Sequence, residues 1–254
     1  MRRFDNRVVV VTGGANGIGR AAARRFAREG AEVAILDVDR TASKEVAAEV
    51  NGAAFPCDVS KQKSIQNAVQ AVVEWQGRLD VLFANAGICR GSPFTELELQ
   101  DWQLILDVDL TGVMLSCQAC AKEMIKLGAG SIIVMSSMAG KTSWPETAAY
   151  STAKTGVIGL VRSIAQELGG YNINANAVCL GHADTAMMRQ VDRRVCAENG
   201  WEPGTFMANL AETNPMGRLA TVDEVAGLVA YLASNEARYI NGQAIEIDGG
   251  LVMS

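Results

Sequence analysis

The chain has 254 residues, a length that admits one large domain or two small ones. Its hydrophobic fraction of 49%, charged fraction of 20%, 25 Gly and 5 Pro exclude a disordered or collagen-like chain and predict a sizeable core. With 23 basic against 28 acidic residues the net charge is −5, so the overall field repels a phosphate backbone and no nucleic-acid partner is expected.

Strands are expected at residues 8–11, 32–36, 53–57, 81–84, 131–135, 174–179 and 243–247, where short β-branched or continuously apolar runs occur. Amphipathic stretches between them predict helices over 17–29, 41–50, 61–75, 100–127, 150–168 and 222–233. Alternation of this kind predicts a doubly wound α/β fold: one parallel seven-stranded, Rossmann-like sheet with helices on both faces. No linker or repeat interrupts it, so residues 1–254 are expected to form a single domain. Residues 182–215 break the rhythm and read as a long loop, a candidate substrate lid.

No uninterrupted apolar stretch of signal-peptide length precedes the first turn signal at Thr12-Gly13-Gly14. The longest apolar runs fall short of the roughly 20 residues that cross a bilayer, so no membrane association is expected. Six cysteines, at 57, 89, 117, 120, 179 and 196, lack the dense spacing of a disulfide scaffold and suit a reducing cytoplasm. Cys117 and Cys120 form a C-x-x-C without a second pair, and their spacing inside a helical pattern reads as core packing.

Thr12-Gly13-Gly14-Ala15-Asn16-Gly17-Ile18-Gly19 follows the first strand and opens the first helix. Glycines there permit a tight turn and a close backbone approach to a pyrophosphate held at the helix N-terminus. Asp37 ends the second strand about twenty residues on, where a carboxylate accepts from an adenosine ribose and repels a 2′-phosphate. NAD is therefore expected over NADP, although Arg20 and Arg40 lie close enough in sequence to offset that repulsion. Tyr150 and Lys154, four apart on one helix, share a face; a nearby ammonium favours a phenolate that exchanges a proton with an alcohol or carbonyl.

Taken together, the chain resembles the short-chain dehydrogenase/reductase family over nearly its whole length. Thr12 to Gly19 match the family's T-G-x-x-x-G-x-G, Asn85-Ala86-Gly87 its N-A-G, Ser137 its serine, and Tyr150 to Lys154 its Y-x-x-x-K. Asp58, in Cys57-Asp58-Val59, matches the adenine-side acid, and Ile247-Asp248-Gly249-Gly250 the C-terminal strand and turn. The resemblance implies that Tyr150 is the general acid/base, that Ser137 holds the substrate oxygen with Ser136 as runner-up, and that Lys154 lowers the tyrosine pKa and binds the nicotinamide ribose. It further implies nucleotide contacts at Gly13, Asn16, Gly17, Ile18, Gly19, Asp37, Asp58, Val59, Asn85, Ala86, Gly87, Tyr150, Lys154, Gly181 and Thr185, and a homotetramer built through the helices at 100–127 and 150–168.

Two positions depart from the family. Asp109 stands where the family commonly has an asparagine in a water-linked proton relay; it is expected to support that relay as a fourth catalytic residue, although an ionised carboxylate cannot donate as an amide does and the relay could instead be weakened or rerouted. Leu180-Gly181 stands where the family usually shows Pro-Gly, which loosens the backbone without removing a catalytic group. His182, the only histidine, has no second ligand candidate beside it, so no metal is expected.

Met187, Met188, Val191, Trp201, Phe206 and Met207 are candidate covers for a substrate, and Met138 and Trp144 candidate pocket walls. Glu146, Arg189 and Asn209 leave room for a polyol. The expected activity is NAD-dependent hydride transfer between a secondary alcohol, whether polyol, sugar or cyclic, and its ketone. A catalytically weak or inactive NAD-binding sensor, and a scaffold that binds no nucleotide, remain as alternatives.

Overall fold

Val8–Thr12 forms β1, every residue of which is buried, because an apolar strand in the middle of a parallel sheet is covered on both faces. In this computed structural model, which describes residues 2–253, β1 pairs in parallel with β2 (Glu32–Asp37) on one side and β4 (Val81–Ala84) on the other. β3 (Ala53–Pro56) extends the sheet beyond β2, and β5 (Gly130–Ser137), β6 (Ile173–Leu180) and β7 (Ala244–Ile247) extend it beyond β4. The order is β3-β2-β1-β4-β5-β6-β7, parallel throughout. Chain direction across the sheet reverses between β1 and β4, the switch point beyond whose carboxyl ends ligands bind in such folds.

Alternate residues of each strand serve opposite layers. Val8 and Val10 face α3 (Gln62–Gln76), α5 (Gly112–Leu127) and α6 (Ala148–Leu168). Val9 and Val11 face α1 (Gly17–Arg28), α2 (Arg40–Glu49) and α9 (Val222–Ala233). Cys117 and Cys120 are buried in the first of these layers, and burial pushes the Cys117 thiol up to about 12, so they are packing groups in their reduced, protonated form.

Two expectations change. The single helix expected at 100–127 is α4 (Leu99–Leu106) joined to α5 by one π-helical turn, Asp107–Thr111. By length and composition the stretch Leu99–Leu127 could cross a membrane, yet half of its most apolar window is buried inside the domain. Residues 182–215 are not a loop: they hold α7 (Ala186–Asn199) and α8 (Thr205–Thr213). Thr185 caps α7 by accepting from the Met188 amide, and Gly200 ends it in the left-handed region. Asp192, on α7, accepts from the amides of Gly204 (2.8 Å) and Met207 (3.0 Å), so one carboxylate ties the start of α8 to α7.

Candidate active site

The carboxyl ends of β1, β4, β5 and β6 open into one cavity of about 1020 Å³. At its nucleotide end the glycine turn leaves β1 with Gly13 at φ +62°, and a Cβ there would sit 2.7 Å from the Ala86 Cα. Only glycine permits that conformation beside that neighbour. Asn85 holds the turn, donating from Nδ2 to the carbonyls of Thr12 (3.2 Å) and Gly13 (3.0 Å), while Thr12 Oγ1 accepts from the Asn85 amide (3.0 Å). Asn16 precedes α1 without capping it, so the first amides of the helix are left for an anion.

Asp37 and Asp58 line the same end. Asp37 accepts from the Ala15 amide (3.0 Å) through Oδ2 and from the Asp39 amide (3.0 Å) through Oδ1, which joins the end of β2 to the glycine turn. Asp58 accepts from Ser60 through Oδ1 (2.7 Å from the hydroxyl). Gly13, Asn16, Gly17, Ile18, Val59, Asn85, Ala86, Gly87, Gly181 and Thr185 also line the cavity. Gly19 does not; it lies behind the turn, where a Cβ would meet the Gly13 carbonyl oxygen at 2.1 Å. The narrow glycine turn, the free amides and the two carboxylates together fit an adenine dinucleotide.

Farther along the cavity Ser137, at the end of β5, and Tyr150, on α6, line the same wall. Ser136 points elsewhere: its hydroxyl donates to the Lys154 carbonyl (2.9 Å), anchoring β5 to α6. Lys154 Nζ lies 5.5 Å from the centre of the Tyr150 ring and donates to the Met135 carbonyl (3.2 Å). Asp109, carried by the π turn, is fully buried and accepts from the Ile88 amide (2.8 Å) through Oδ1. Its Oδ2 stands 3.0 Å from Lys154 Nζ, an ion pair without the alignment of a hydrogen bond.

Burial, more than that pairing, sets the acidity of Tyr150. Burial pushes the Tyr150 hydroxyl up; Lys154 pulls it down, Asp109 and Cys89 push it up, and Ser137 pulls it down, leaving it above the ordinary tyrosine value. Lys154 acts in the expected direction, but the carboxylate beside it offsets its effect. Burial opposes the charge on Lys154, yet Asp109 holds the ammonium above its ordinary value. Burial also pushes the Asp109 carboxyl up, against Lys154 and the Ile88 amide.

The substrate end is bounded by Met138, Trp144, Met187, Met188, Val191 and Phe206. Trp201, Met207, Arg189 and Asn209 do not line it, whereas Glu146 does. Arg194 of α7 also reaches the cavity and pairs with Glu146 at 3.3 Å; sequence reasoning missed this residue because it had no helix on which to place it. No cluster of residues able to hold a metal ion occurs among the described residues.

A parallel sheet with a nucleotide cradle at its switch point and Ser, Tyr and Lys converging beside it is the arrangement of the dinucleotide-dependent oxidoreductases. Residues 13–252 match the family model described as enoyl-(acyl carrier protein) reductase. The chain is 36% identical to D-threitol dehydrogenase of Mycolicibacterium smegmatis over 253 residues, 98% of this chain and 94% of that one. It is 35% identical to the mitochondrial borneol dehydrogenase of Lavandula x intermedia over 254 residues, covering 99% and 92%. Among solved structures, levodione reductase superposes with a TM-score of 0.94 at 33% identity over 98% of each chain. The chain belongs to the short-chain dehydrogenase/reductase family. It is thus an oxidoreductase of the alcohol and carbonyl class, working with a nicotinamide cofactor.

Proposed function

We propose that the protein is an NAD-dependent dehydrogenase that interconverts a secondary alcohol and its ketone. The observation that carries this reading is the convergence of Ser137, Tyr150 and Lys154 on the cavity that also holds the glycine turn and Asp37. NAD is favoured over NADP because Asp37 presents a carboxylate where a 2′-phosphate would lie, and because Arg20 is held by Glu49 and is not free to neutralise such a phosphate. The nearby relatives carry names that refer to a polyol and to borneol, which supports a secondary alcohol as the substrate class.

The glycine turn and the first amides of α1 would hold the pyrophosphate, Asp37 the adenosine ribose, Asp58 and Val59 the adenine side and Thr185 the carboxamide. When bound, the nicotinamide ring accepts or supplies the hydride. Ser137 holds the substrate oxygen through its hydroxyl, and Lys154 holds the nicotinamide ribose. Tyr150 removes the proton of the alcohol in oxidation and returns it to the oxygen in reduction. Asp109 keeps Lys154 charged and in place. Helices α7 and α8 cover the substrate end. In this reading the enzyme works in the cytoplasm as a homotetramer assembled through α4–α5 and α6.

The test is nucleotide absorbance during incubation with a panel of polyols, sugars and cyclic alcohols, with NAD and NADP compared, alongside equilibrium dialysis for binding. Turnover with NAD, and its loss in Tyr150→Phe with binding retained, is expected. Tight binding of NAD without turnover of any substrate would overturn the reading in favour of a nucleotide sensor.

A further inference from the structure

His182 is the first residue past Gly181 at the end of β6, and its side chain lines the substrate end of the cavity. Its backbone is held from both sides. The Gly181 amide donates to the Ile247 carbonyl (3.1 Å), the His182 carbonyl accepts from the Ala220 amide (2.9 Å), and the Asp184 amide donates to the Ala220 carbonyl (3.2 Å). The imidazole is set edge-on to the Trp144 indole, with ring centres 6.4 Å apart. It therefore belongs to the rigid end of the sheet and not to α7.

The two ring nitrogens differ. Nδ1 is buried and has no hydrogen-bond partner. Burial also pushes the His182 pKa below the ordinary histidine value, so the ring is neutral near pH 7. A neutral ring carries one N–H, and no acceptor stands beside the buried Nδ1 to receive it, whereas Nε2 faces the cavity where a partner can. The proton thus resides on Nε2, the nitrogen on the accessible edge. The neighbouring polar groups are already engaged: Ser137 with the Ala139 amide, Glu146 with Arg194, and Thr147 with Trp144 and Ser151.

We infer that His182 is a specificity residue whose Nε2–H donates to a second oxygen of the substrate, so that the preferred substrates are bifunctional, namely diols, hydroxyketones and diketones, rather than simple secondary alcohols. This rests on the dehydrogenase reading above, and names the substrate class that the same cavity selects. A donor fixed by the sheet and left without a protein partner discriminates against a ligand that lacks the matching oxygen, because binding such a ligand strips the donor of water and returns nothing.

The test compares reduction of diacetyl and of butanone by the untagged protein and by His182→Leu and His182→Gln. The intrinsic reactivity of the two ketones cancels when the ratio of their kcat/KM values is compared between proteins. That ratio is expected to fall about tenfold or more in His182→Leu and to recover in His182→Gln, whose amide also donates. Because the chain has a single histidine, the imidazole nitrogens give one pair of NMR signals. These are expected to show the Nε2–H form in the free protein and to shift on adding acetoin but not butan-2-ol. Equal loss on both ketones in His182→Leu, or an Nδ1–H ring, overturns this inference and leaves the dehydrogenase reading standing. No reduction of either ketone, or of any other carbonyl, by the unaltered protein overturns both.

Discussion

The Asp109 carboxylate lies 3.0 Å from the Lys154 ammonium inside the protein, with both side chains almost fully buried. The lysine therefore does not act on Tyr150 as an isolated cation. A Cβ on Gly87 would meet Asp109 Oδ2 at 2.9 Å and Lys154 Nζ at 3.4 Å, so the bare backbone of the N-A-G segment makes room for the pair.

Asp109→Asn removes a negative charge that pushes the Tyr150 hydroxyl up. With the pKa raised, the phenolate grows in only as pH rises, so oxidation climbs with pH and reduction, which needs the phenol proton, declines. With Lys154 still protonated, the tyrosine pKa falls in the asparagine variant and both limbs move to lower pH; a shift to higher pH would show instead that Asp109 acts by keeping Lys154 charged. Rate profiles in both directions check this, and an unchanged maximal rate and profile would show that Asp109 takes no part.

Asp37→Ala removes the carboxylate that lines the nucleotide end and the acceptor for the Ala15 amide. Binding of NAD is expected to weaken about tenfold, the scale of one hydrogen bond to a charged group, while NADP binding holds or improves. Dialysis with each nucleotide measures the two affinities, and unaltered discrimination would place the ribose contact elsewhere.

Gly19→Ala puts a methyl 2.1 Å from the Gly13 carbonyl oxygen, a backbone atom that cannot swing aside. A loss of about 1–3 kcal/mol of stability, typical of overpacking, is expected together with loss of nucleotide binding. Denaturant unfolding and dialysis read the two effects separately.

Asp192→Ala deprives the Gly204 and Met207 amides of their shared acceptor. The start of α8 is expected to loosen, which limited proteolysis between α7 and α8 detects. KM should rise more than kcat falls, because the Ser137–Tyr150–Lys154 set does not touch Asp192.

The seven strands were legible because strands covered on both faces carry unbroken apolar runs, as Val8 to Val11 do. The motif residues of the site, Ser137 among them, were numbered through the family resemblance, and alternation along β5 turns Ser136 the other way, onto the Lys154 carbonyl. Helix α7 was missed because charged Arg189, Asp192, Arg193, Arg194 and Glu198 dilute its apolar face. Its signals lay at the ends, a threonine cap at Thr185 and a glycine stop at Gly200. The acidity of Tyr150 could not be read at all. It depends on burial and on a carboxylate 41 residues earlier, brought close by the π turn at Asp107–Thr111.

Glu146 occupies the left-handed region at φ +64°, its carbonyl accepts from the Ser92 amide (3.0 Å), and its carboxylate meets Arg194 at 3.3 Å with both side chains more than a third exposed. A contact of that kind is weak and easily damped by dissolved ions. The mouth of the cavity is thus fastened by a bond that ionic strength loosens, while the buried Asp109–Lys154 pair is screened far less. Raising the salt concentration should alter how fast molecules enter and leave without touching the chemistry between those two events.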